Sequence, residues 1–312
     1  MLKGRIKINY IFLIKLMITT ALITYLMYSS NIAILASTLS SINVSLALLT
    51  CAVLQLVLFI GGINLWFMMN SISRIPLTVF IRAYSYGYAV NLFSPGQLGD
   101  ISMTLFLKKN GVYYSHSTLA YTVDKLISLL FLLLLGFLGA RFLLNDFAAP
   151  MWVFSIPPIC IVCAMACIAL IVSIPNDAGH IGRIKHFIKS LYNEAVLWDA
   201  KYKAIMLNIV LTIIRWLVLS VTYYLAFRAF GIEAKWPEVG IIPIISTLVG
   251  YIPISIGGIG TVELCAVYLF SLISIDRVYV IDVYIFLRII TYLQAGVILG
   301  LCNWQFRRVR IL

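Results

Sequence analysis

Two short glycine-rich strings interrupt the apolar stretches of this 312-residue chain. The first runs from Ser94 to Asp100 (SPGQLGD) and the second from Ser255 to Glu263 (SIGGIGTVE). Each string is expected to break one helix and to begin another, whose first turn presents unpaired backbone N–H groups and a partial positive charge. Such a helix end binds phosphate or carboxylate groups, and glycine lets them approach the backbone closely. The acidic residue that ends each string either caps the new helix or binds a cationic headgroup or a coupling proton.

The two strings share the pattern S-x-G-x-[LI]-G, which aligns Ser94, Gly96 and Gly99 with Ser255, Gly257 and Gly260. Paired, glycine-interrupted apolar segments in the two halves of a chain are typical of inverted-repeat transporters. We therefore predict two inverted re-entrant hairpins, over residues 78–110 and 239–275, which enter the membrane from opposite faces. The alternative is two ordinary helix pairs that are kinked by glycine and proline.

Charged residues inside apolar runs are the second signal, because a charge in the bilayer is costly unless it is paired or faces a cavity. Arg215 and Arg288 each lie within such a run. They either bind a lipid phosphate or form structural ion pairs with Asp100, Glu263 or Asp282. The candidate substrate-binding residues are therefore Ser94, Pro95, Gly96, Gly99, Asp100, Asp124, Lys125, Arg215, Ser255, Gly257, Gly258, Gly260, Glu263 and Arg288.

The elements that must position these residues are membrane helices. The sequence is 62% hydrophobic and only 11% charged, with a mean hydropathy of +1.04, which is more apolar surface than a soluble core of this size buries. Runs of about 20 apolar residues cross a bilayer. The apolar runs lie at residues 11–29, 45–69, 118–140, 151–174, 204–228 and 280–303. We thus predict an all-α integral membrane protein with about six full transmembrane helices plus the two inverted re-entrant helical hairpins, in a single polytopic domain over residues 1–312.

No segment is large enough for a soluble catalytic domain, and the phosphate-binding signature G-x-x-x-x-G-K-[ST] does not occur. ATP is therefore not expected to drive the protein directly. The six cysteines lie in apolar segments, where cysteine behaves as a small hydrophobic residue. We therefore expect no metal and no other cofactor.

The net charge of +12 predicts an orientation rather than a nucleic-acid partner, because lysine and arginine collect in cytoplasmic loops. With the N-terminus inside, fifteen of these residues fall on the cytoplasmic side and four on the outer side. This asymmetry predicts a protein of the cytoplasmic membrane with both termini in the cytoplasm. Residues 180–203 carry apolar residues at helical spacing among basic ones, which is typical of an amphipathic helix on the anionic inner leaflet. The alternative is a solvated connector helix.

Three stretches resemble, in order, the signatures of a flippase-like membrane family that includes the transmembrane region of lysylphosphatidylglycerol synthases. They read NLFSPGQLGDISMTLFLKKNGV, AYTVDKLISLL and YIPISIGGIGTVELCAVYLF. The resemblance covers most of the chain and implies a multi-pass fold that moves or binds a lipid-linked headgroup. The positions that match the family's strings are Pro95, Gly96, Gly99, Asp100, Asp124, Lys125, Pro253, Gly257, Gly258, Gly260 and Glu263.

The chain departs from the family pattern at three positions, which bear on the substrate rather than on the fold. Asp100 stands where glutamate is typical, Lys125 stands where arginine is usual, and Met103 lies where a basic residue often follows. The soluble aminoacyl-transfer domain of the synthases does not accompany these stretches. Lysine transfer is therefore not expected.

Together, the residues and the resemblance predict a stand-alone flippase-like transporter for a phospholipid or a polyprenyl-phosphate-linked sugar. One alternative is a membrane glycosyltransferase with a lipid-phosphate donor, which needs acidic residues in an outer loop near the first span. Residues 28–45 contain none. A second alternative is a non-transporting scaffold for a lipid or polysaccharide synthase. The expected partners are membrane lipids, while a membrane-bound synthase and a second copy of the chain stay open as further partners.

Overall fold

A computed structural model describes residues 10–29, 41–94, 98–143, 180–252 and 254–309. These residues form α-helices and short connecting turns, and they contain no β-strand. In the first half the helices are α1 (Tyr10–Ser29), α2 (Val44–Ile72), α3 (Leu77–Phe93), α4 (Leu98–Lys109) and α5 (Tyr114–Leu143). In the second half they are α6 (His180–Leu197), α7 (Lys201–Ala229), α8 (Trp236–Gly250), α9 (Thr261–Ser271) and α10 (Arg277–Val309).

Four of the predicted spans coincide with helices that are long and apolar enough to cross a membrane. These are Val44–Ile72, Tyr114–Gly139, Lys201–Ala229 and Arg277–Leu301. The first predicted span coincides with α1. The apolar segment of α1, Ile14–Leu26, is shorter than these four helices. The predicted span at 151–174 lies outside the described residues. The all-helical, multi-pass membrane architecture is thus confirmed, and the number of six spans stays a prediction.

Helices α2 and α7 form an antiparallel pair that runs through the centre of the protein. At one end the backbone N–H of Asn43 donates to the carbonyl oxygen of Ala229, at 2.9 Å. Asn43 also caps α2, because its side chain accepts the N–H of Leu46 at 3.1 Å. Near the other end Asn64 on α2 bonds to Thr212 on α7. This pair carries polar side chains of both helices into the interior.

Each predicted hairpin contains two helices that are separated by a break. Helix α3 ends at Phe93 and α4 begins at Leu98. Helix α8 ends at Gly250, and a single 3₁₀ turn at Ile256–Gly258 precedes α9. The two pairs of helices thus begin one and three residues before the predicted ranges 78–110 and 239–275 and end inside them. Their depth in the membrane and their opposite entry stay predictions.

Two apolar clusters hold the hairpins in place. The first packs α3, α4 and α5 against α2 around Met68, Phe80 and Leu107, all of which are buried. The second packs α8, α9 and α10 against α7 around Phe227 and Phe270, whose ring centroids are 4.8 Å apart. The two hairpins are therefore packed towards different ends of the α2–α7 pair, and a third apolar cluster packs α8 against α5 and α7.

The predicted amphipathic segment at 180–203 divides into two helices. Its first part forms α6, and its last residues begin α7 at Lys201. The Glu194 carboxylate on α6 lies 3.0 Å from Nε2 of His116, near the start of α5. Trp198, which follows α6, is buried. This end of α6 therefore packs against the helices, and its position on the inner leaflet stays a prediction.

Candidate functional site

The two helix breaks meet inside the protein. The backbone N–H of Gly257 donates to the carbonyl oxygen of Ser94, with N and O 3.3 Å apart. Gly257 has a φ of 60°, and a Cβ atom there would lie 2.6 Å from the carbonyl oxygen of Leu92. Only glycine accepts both this conformation and this approach without strain. The sequence thus places a glycine where one turn touches the other.

A cavity of about 410 Å³ opens beside this contact. Residues of α2, α3, α4, α5, α7, α8, α9 and α10 line it. The predicted site residues that line it are Ser94, Asp100, Asp124, Lys125, Arg215, Gly257, Gly258, Glu263 and Arg288. Ser255 and Gly260, in the second break, and Gly99, in the first turn of α4, are not among its lining residues. Pro95, Gly96 and Pro253 lie outside the described residues.

The second break is closed by an ion pair between Glu263 and Arg288. Nε of Arg288 donates to Oε1 of Glu263 at 2.7 Å, and Oε2 of Glu263 accepts the backbone N–H of Gly260 at 2.7 Å. Nη1 of Arg288 donates to the carbonyl oxygen of Gly257 at 3.2 Å. Glu263 therefore caps α9 and also neutralises a buried arginine. Of the two roles that were open for Arg288, the ion pair is the one seen in this conformation.

The first break holds its acid through a larger set of partners. Oδ1 of Asp100 accepts from Nδ2 of Asn91 at 2.9 Å, and Oδ2 accepts the hydroxyl of Tyr121. Nζ of Lys125 lies 3.8 Å from the same Oδ2. Asn91 in turn accepts the backbone N–H of Gly99 at 2.7 Å, so it takes the capping role that Glu263 performs in the second break. The pair of Asp100 with Lys125 is accordingly the looser of the two.

Arg215 is the exception among the cavity cations. It extends from α7 across Gly61 of α2, where a Cβ atom would lie 3.2 Å from Nε. Its guanidinium stacks at 5.8 Å over the ring of Trp216. Among the described residues, no carboxylate lies within ion-pair distance of it, and neither Asp100, Glu263 nor Asp282 is its partner. In the part of the chain that the structure describes, Arg215 is thus the cavity arginine without an ion pair.

A buried polar cluster holds Asp124 against the α2–α7 pair. Oδ1 of Asp124 accepts from Nδ2 of Asn208 at 2.7 Å and from Nδ2 of Asn64 at 3.4 Å. Asn208 also donates to Oδ1 of Asn64, and Asn64 donates to the hydroxyl oxygen of Thr212. All four side chains are at most 4% exposed. Asp124 is therefore fixed by neutral donors.

A family model, described as lysylphosphatidylglycerol synthase TM region, matches residues 12–300 of the chain. The chain belongs to this family. The match includes both breaks and all the candidate residues, so the resemblance that the strings indicated is confirmed. No curated protein and no solved structure matches the chain.

Within this member of the lysylphosphatidylglycerol synthase TM family, the two hairpins repeat the same acid–base pair. Asp100 and Glu263 are each the third residue of their helix, and each is followed 25 positions later by its basic partner. The two pairs are thus related by a shift of 163 residues. The same shift relates Gly87 to Gly250, and both glycines are sites of close helix approach. A Cβ atom on the first would lie 2.9 Å from Gly99, and one on the second 3.1 Å from Val262.

The correspondence that the ion pairs define, a shift of 163 residues, is the structural register of the two units. It differs by two residues from the alignment of the two strings, in which Ser94 corresponded to Ser255. In the structural register Ser94 corresponds to Gly257. The reason is that the breaks differ in length: α3 continues to Phe93, whereas α8 already ends at Gly250. The glycines of the two strings therefore serve different contacts. The repeated ion pair, not the repeated glycine, marks the equivalent positions.

In this member of the family, the sequence analysis did not predict several polar residues in and around the cavity. The hydroxyl of Tyr88 donates to Oε1 of Gln294, whose Nε2 donates to Oε1 of Gln55. Asn64 and Asn208 were also missed. An asparagine within a long apolar run does predict a contact inside the protein, because lipid offers it no hydrogen bonds. The further polar residues of the wall are Tyr84, Asn91, Tyr223, Thr247, Tyr251, Tyr284 and Thr291.

Proposed function

We propose that this protein binds the headgroup of a phospholipid, or of a polyprenyl-phosphate-linked sugar, in the cavity between the two breaks and moves it across the cytoplasmic membrane. The observation that carries this proposal is the uncompensated guanidinium of Arg215 in a polar cavity. A buried charge without a partner is costly, so a cavity of this kind favours a ligand that supplies the opposite charge. Guanidinium groups bind phosphate through two parallel, charge-assisted hydrogen bonds.

The surroundings of Arg215 support a phosphate rather than a bare carboxylate as the ligand. The cavity of about 410 Å³ has room for a headgroup, and its tyrosine, threonine and amide side chains can bond to hydroxyl or phosphate oxygens. Lys125, whose Nζ is 3.8 Å from Asp100, is close enough to add a second positive charge. The acyl or prenyl tails would stay in the lipid.

The two broken hairpins supply the parts for alternating access. They approach each other at the backbone contact between Gly257 and Ser94, their own apolar clusters lie towards different ends of the α2–α7 pair, and α8 of the second hairpin also packs against α5. A small rocking of one half against the other would expose the cavity first to one side of the membrane and then to the other. The family name, which refers to a synthase of a membrane lipid, agrees with a lipid as the partner.

The transport assay uses purified protein in liposomes that contain phospholipids labelled on the acyl chain. We expect Arg215→Gln to slow lipid transfer between leaflets by about tenfold or more, because charge-assisted hydrogen bonds to the phosphate are lost. The matched control is Arg228→Gln in the last turn of α7, where Arg228 is 43% exposed and forms only a 3.7 Å pair with Glu233. This control should transfer lipid at the wild-type rate.

The same assay distinguishes the alternatives. Equal rates for Arg215→Gln and wild type would contradict the phosphate-binding role of Arg215. Transfer of a sugar to another molecule would indicate a glycosyltransferase. Lipid that stays in its leaflet with the wild-type protein would leave a scaffold for a synthase as the function.

A further inference from the structure

Among the described residues, Asp124 accepts hydrogen bonds at only one of its two carboxylate oxygens. Both hydrogen bonds to Asp124, from Asn64 and Asn208, end on Oδ1. In the described part of the chain, no hydrogen bond reaches Oδ2, and Asp124 lines the cavity. The neutral donors of the cluster therefore fix the carboxylate so that its second oxygen can bind a ligand.

The charges of the cavity lining can be divided into satisfied and unsatisfied groups. Its six charged residues are Asp100, Asp124, Lys125, Arg215, Glu263 and Arg288. Glu263 with Arg288 and Asp100 with Lys125 form two ion pairs. One cation, Arg215, and one acid, Asp124, are left without an opposite charge in ion-pair contact among the described residues.

These two groups lie along the same seam between α2 and α7. Arg215 crosses α2 at Gly61, and Asp124 contacts α2 at Asn64, three residues or roughly 4.5 Å further along that helix. On α7, Arg215 and the Asn208 that holds Asp124 are seven residues apart, roughly 10 Å along the axis. Both side chains line the cavity, and this spacing of their contacts along the two helices is on the scale of a headgroup that carries a phosphate at one end and a cation at the other.

We infer that the cavity selects a zwitterionic headgroup: a phosphodiester that binds Arg215 and, a few atoms away, a protonated primary amine that donates to Oδ2 of Asp124. The phosphoethanolamine headgroup has this chemistry. This inference rests on the proposed function, because it names the lipid class that the same site accepts. It makes Asp124 a specificity-determining residue and Arg215 the phosphate ligand.

Charge balance favours this class over its neighbours. An anionic phosphatidylglycerol would satisfy Arg215 but would leave Asp124 buried beside a further negative charge, which is unfavourable. A choline headgroup is zwitterionic too, but its quaternary nitrogen has no N–H group and cannot form the charge-assisted hydrogen bond to Oδ2. An aminoacylated phosphatidylglycerol with two ammonium groups carries one phosphate for Arg215 but two positive charges for the single carboxylate of Asp124. One of its ammonium groups would therefore lack a partner among these two residues.

The direct test measures which lipids remain bound to the wild-type protein. Nanodiscs are prepared with equal amounts of phosphatidylglycerol and of phosphatidylethanolamine carrying zero, one, two or three N-methyl groups, all with the same acyl chains. The lipids that are retained after transfer to detergent are then quantified. We expect the ethanolamine lipid to exceed both phosphatidylglycerol and the trimethyl lipid by about tenfold, the ratio that one charge-assisted hydrogen bond gives. Equal retention of the ethanolamine and trimethyl lipids would overturn the inference.

A pair of matched variants assigns the selectivity to Asp124. Asp124→Asn keeps an oxygen that accepts from Asn208 but loses the negative charge, so we expect it to retain ethanolamine and glycerol lipids alike. Asp199→Asn, at an exposed position after α6, should keep the wild-type preference. A variant Asp124→Asn that still prefers the ethanolamine lipid by the wild-type ratio would overturn the role of Asp124. Should that variant fail to fold, the methylation series on the wild type still decides.

Binding and transport separate this inference from the proposed function. Selective retention of the ethanolamine lipid without any transfer between leaflets would support the headgroup site and contradict transport. Transfer that occurs at equal rates for all five lipids would support transport and contradict the zwitterion site.

Discussion

At the scale of single residues, the charged side chains of the cavity fall into two groups, those in an ion pair and those without one. Glu263 and Arg288 satisfy each other and also hold the second break, because they bond to Gly260 and Gly257. Among the described residues no acid lies within ion-pair distance of Arg215, which lines the cavity. Charged side chains in a membrane protein therefore divide into those that stabilise the fold and those that can bind a ligand. The two groups should respond differently to substitution.

Glu263→Gln should destabilise the protein strongly. The change removes the carboxylate that pairs with Arg288, whose side chain is 25% exposed and keeps only its bond to the Gly257 carbonyl, and removal of one member of a buried pair costs up to about 3–5 kcal/mol. The free energy of unfolding, measured by reversible denaturation in mixed micelles, should fall by that amount. The control is Glu233→Gln, which breaks the exposed pair with Arg228 and should cost less than about 1 kcal/mol. Equal stability of the two variants would contradict the structural role of the Glu263–Arg288 pair.

At the scale of elements, the sequence predicted where helices break but not how the broken helices correspond. The apolar runs located α2, α5, α7 and α10, because lipid requires long apolar helices with internally paired backbones. The string alignment then differed by two residues from the correspondence of the ion pairs, because Gly99 and Gly260, which the strings align, serve different contacts. A Cβ atom on the first would meet Gly87 of the neighbouring helix, and one on the second would meet Leu22 of α1.

The candidate site was predictable to the extent that its members are charged. Of the fourteen candidates, the charged residues all line the cavity: Asp100, Asp124, Lys125, Arg215, Glu263 and Arg288. A charged side chain in an apolar run is costly in lipid and must face a cavity or a partner, so its position in the sequence predicts its position in the fold. The amides that hold the charges could not be paired in advance, because the bond from Asn208 to Asp124 joins residues 84 positions apart. Such contacts depend on tertiary packing and not on local pattern.

The close contact between α3 and α4 tests the hairpin as an element. In Gly99→Ala, the added methyl group would lie 2.0 Å from the carbonyl oxygen of Gly87, so the helices must separate. Overpacking of this kind costs about 1–3 kcal/mol. The control is Gly296→Ala in α10, where nothing lies within 4 Å of the new methyl group. That control should be neutral or more stable by up to about 1 kcal/mol, since alanine favours a helix. A stable Gly99→Ala variant with unchanged thermal unfolding would contradict the close packing of the hairpin.

At the scale of the whole molecule, the account describes two similar units around one cavity. Each unit is a broken hairpin followed by a long helix, and each carries an acid–base pair with the same spacing of 25 residues. The tight pair, at 2.7 Å, and the loose pair, at 3.8 Å, differ in this conformation. In the proposed transport mechanism, the two units would exchange these geometries as the cavity opens to one side of the membrane and then to the other. The orientation with both termini in the cytoplasm, which the charge asymmetry predicts, sets which unit faces which side.

The central claim is that the cavity between the breaks opens to both sides of the membrane and holds a lipid headgroup. We would test it with single cysteines at Thr247, which lines the cavity, and at its buried neighbour Ser246, after replacement of the six native cysteines. Membrane-impermeant thiol reagents are added to one side of the membrane at a time. The account predicts that Thr247→Cys reacts from both sides and is protected by the substrate lipid, whereas Ser246→Cys does not react. A cysteine at Thr247 that reacts from neither side, or from one side only whether or not lipid is present, would contradict it.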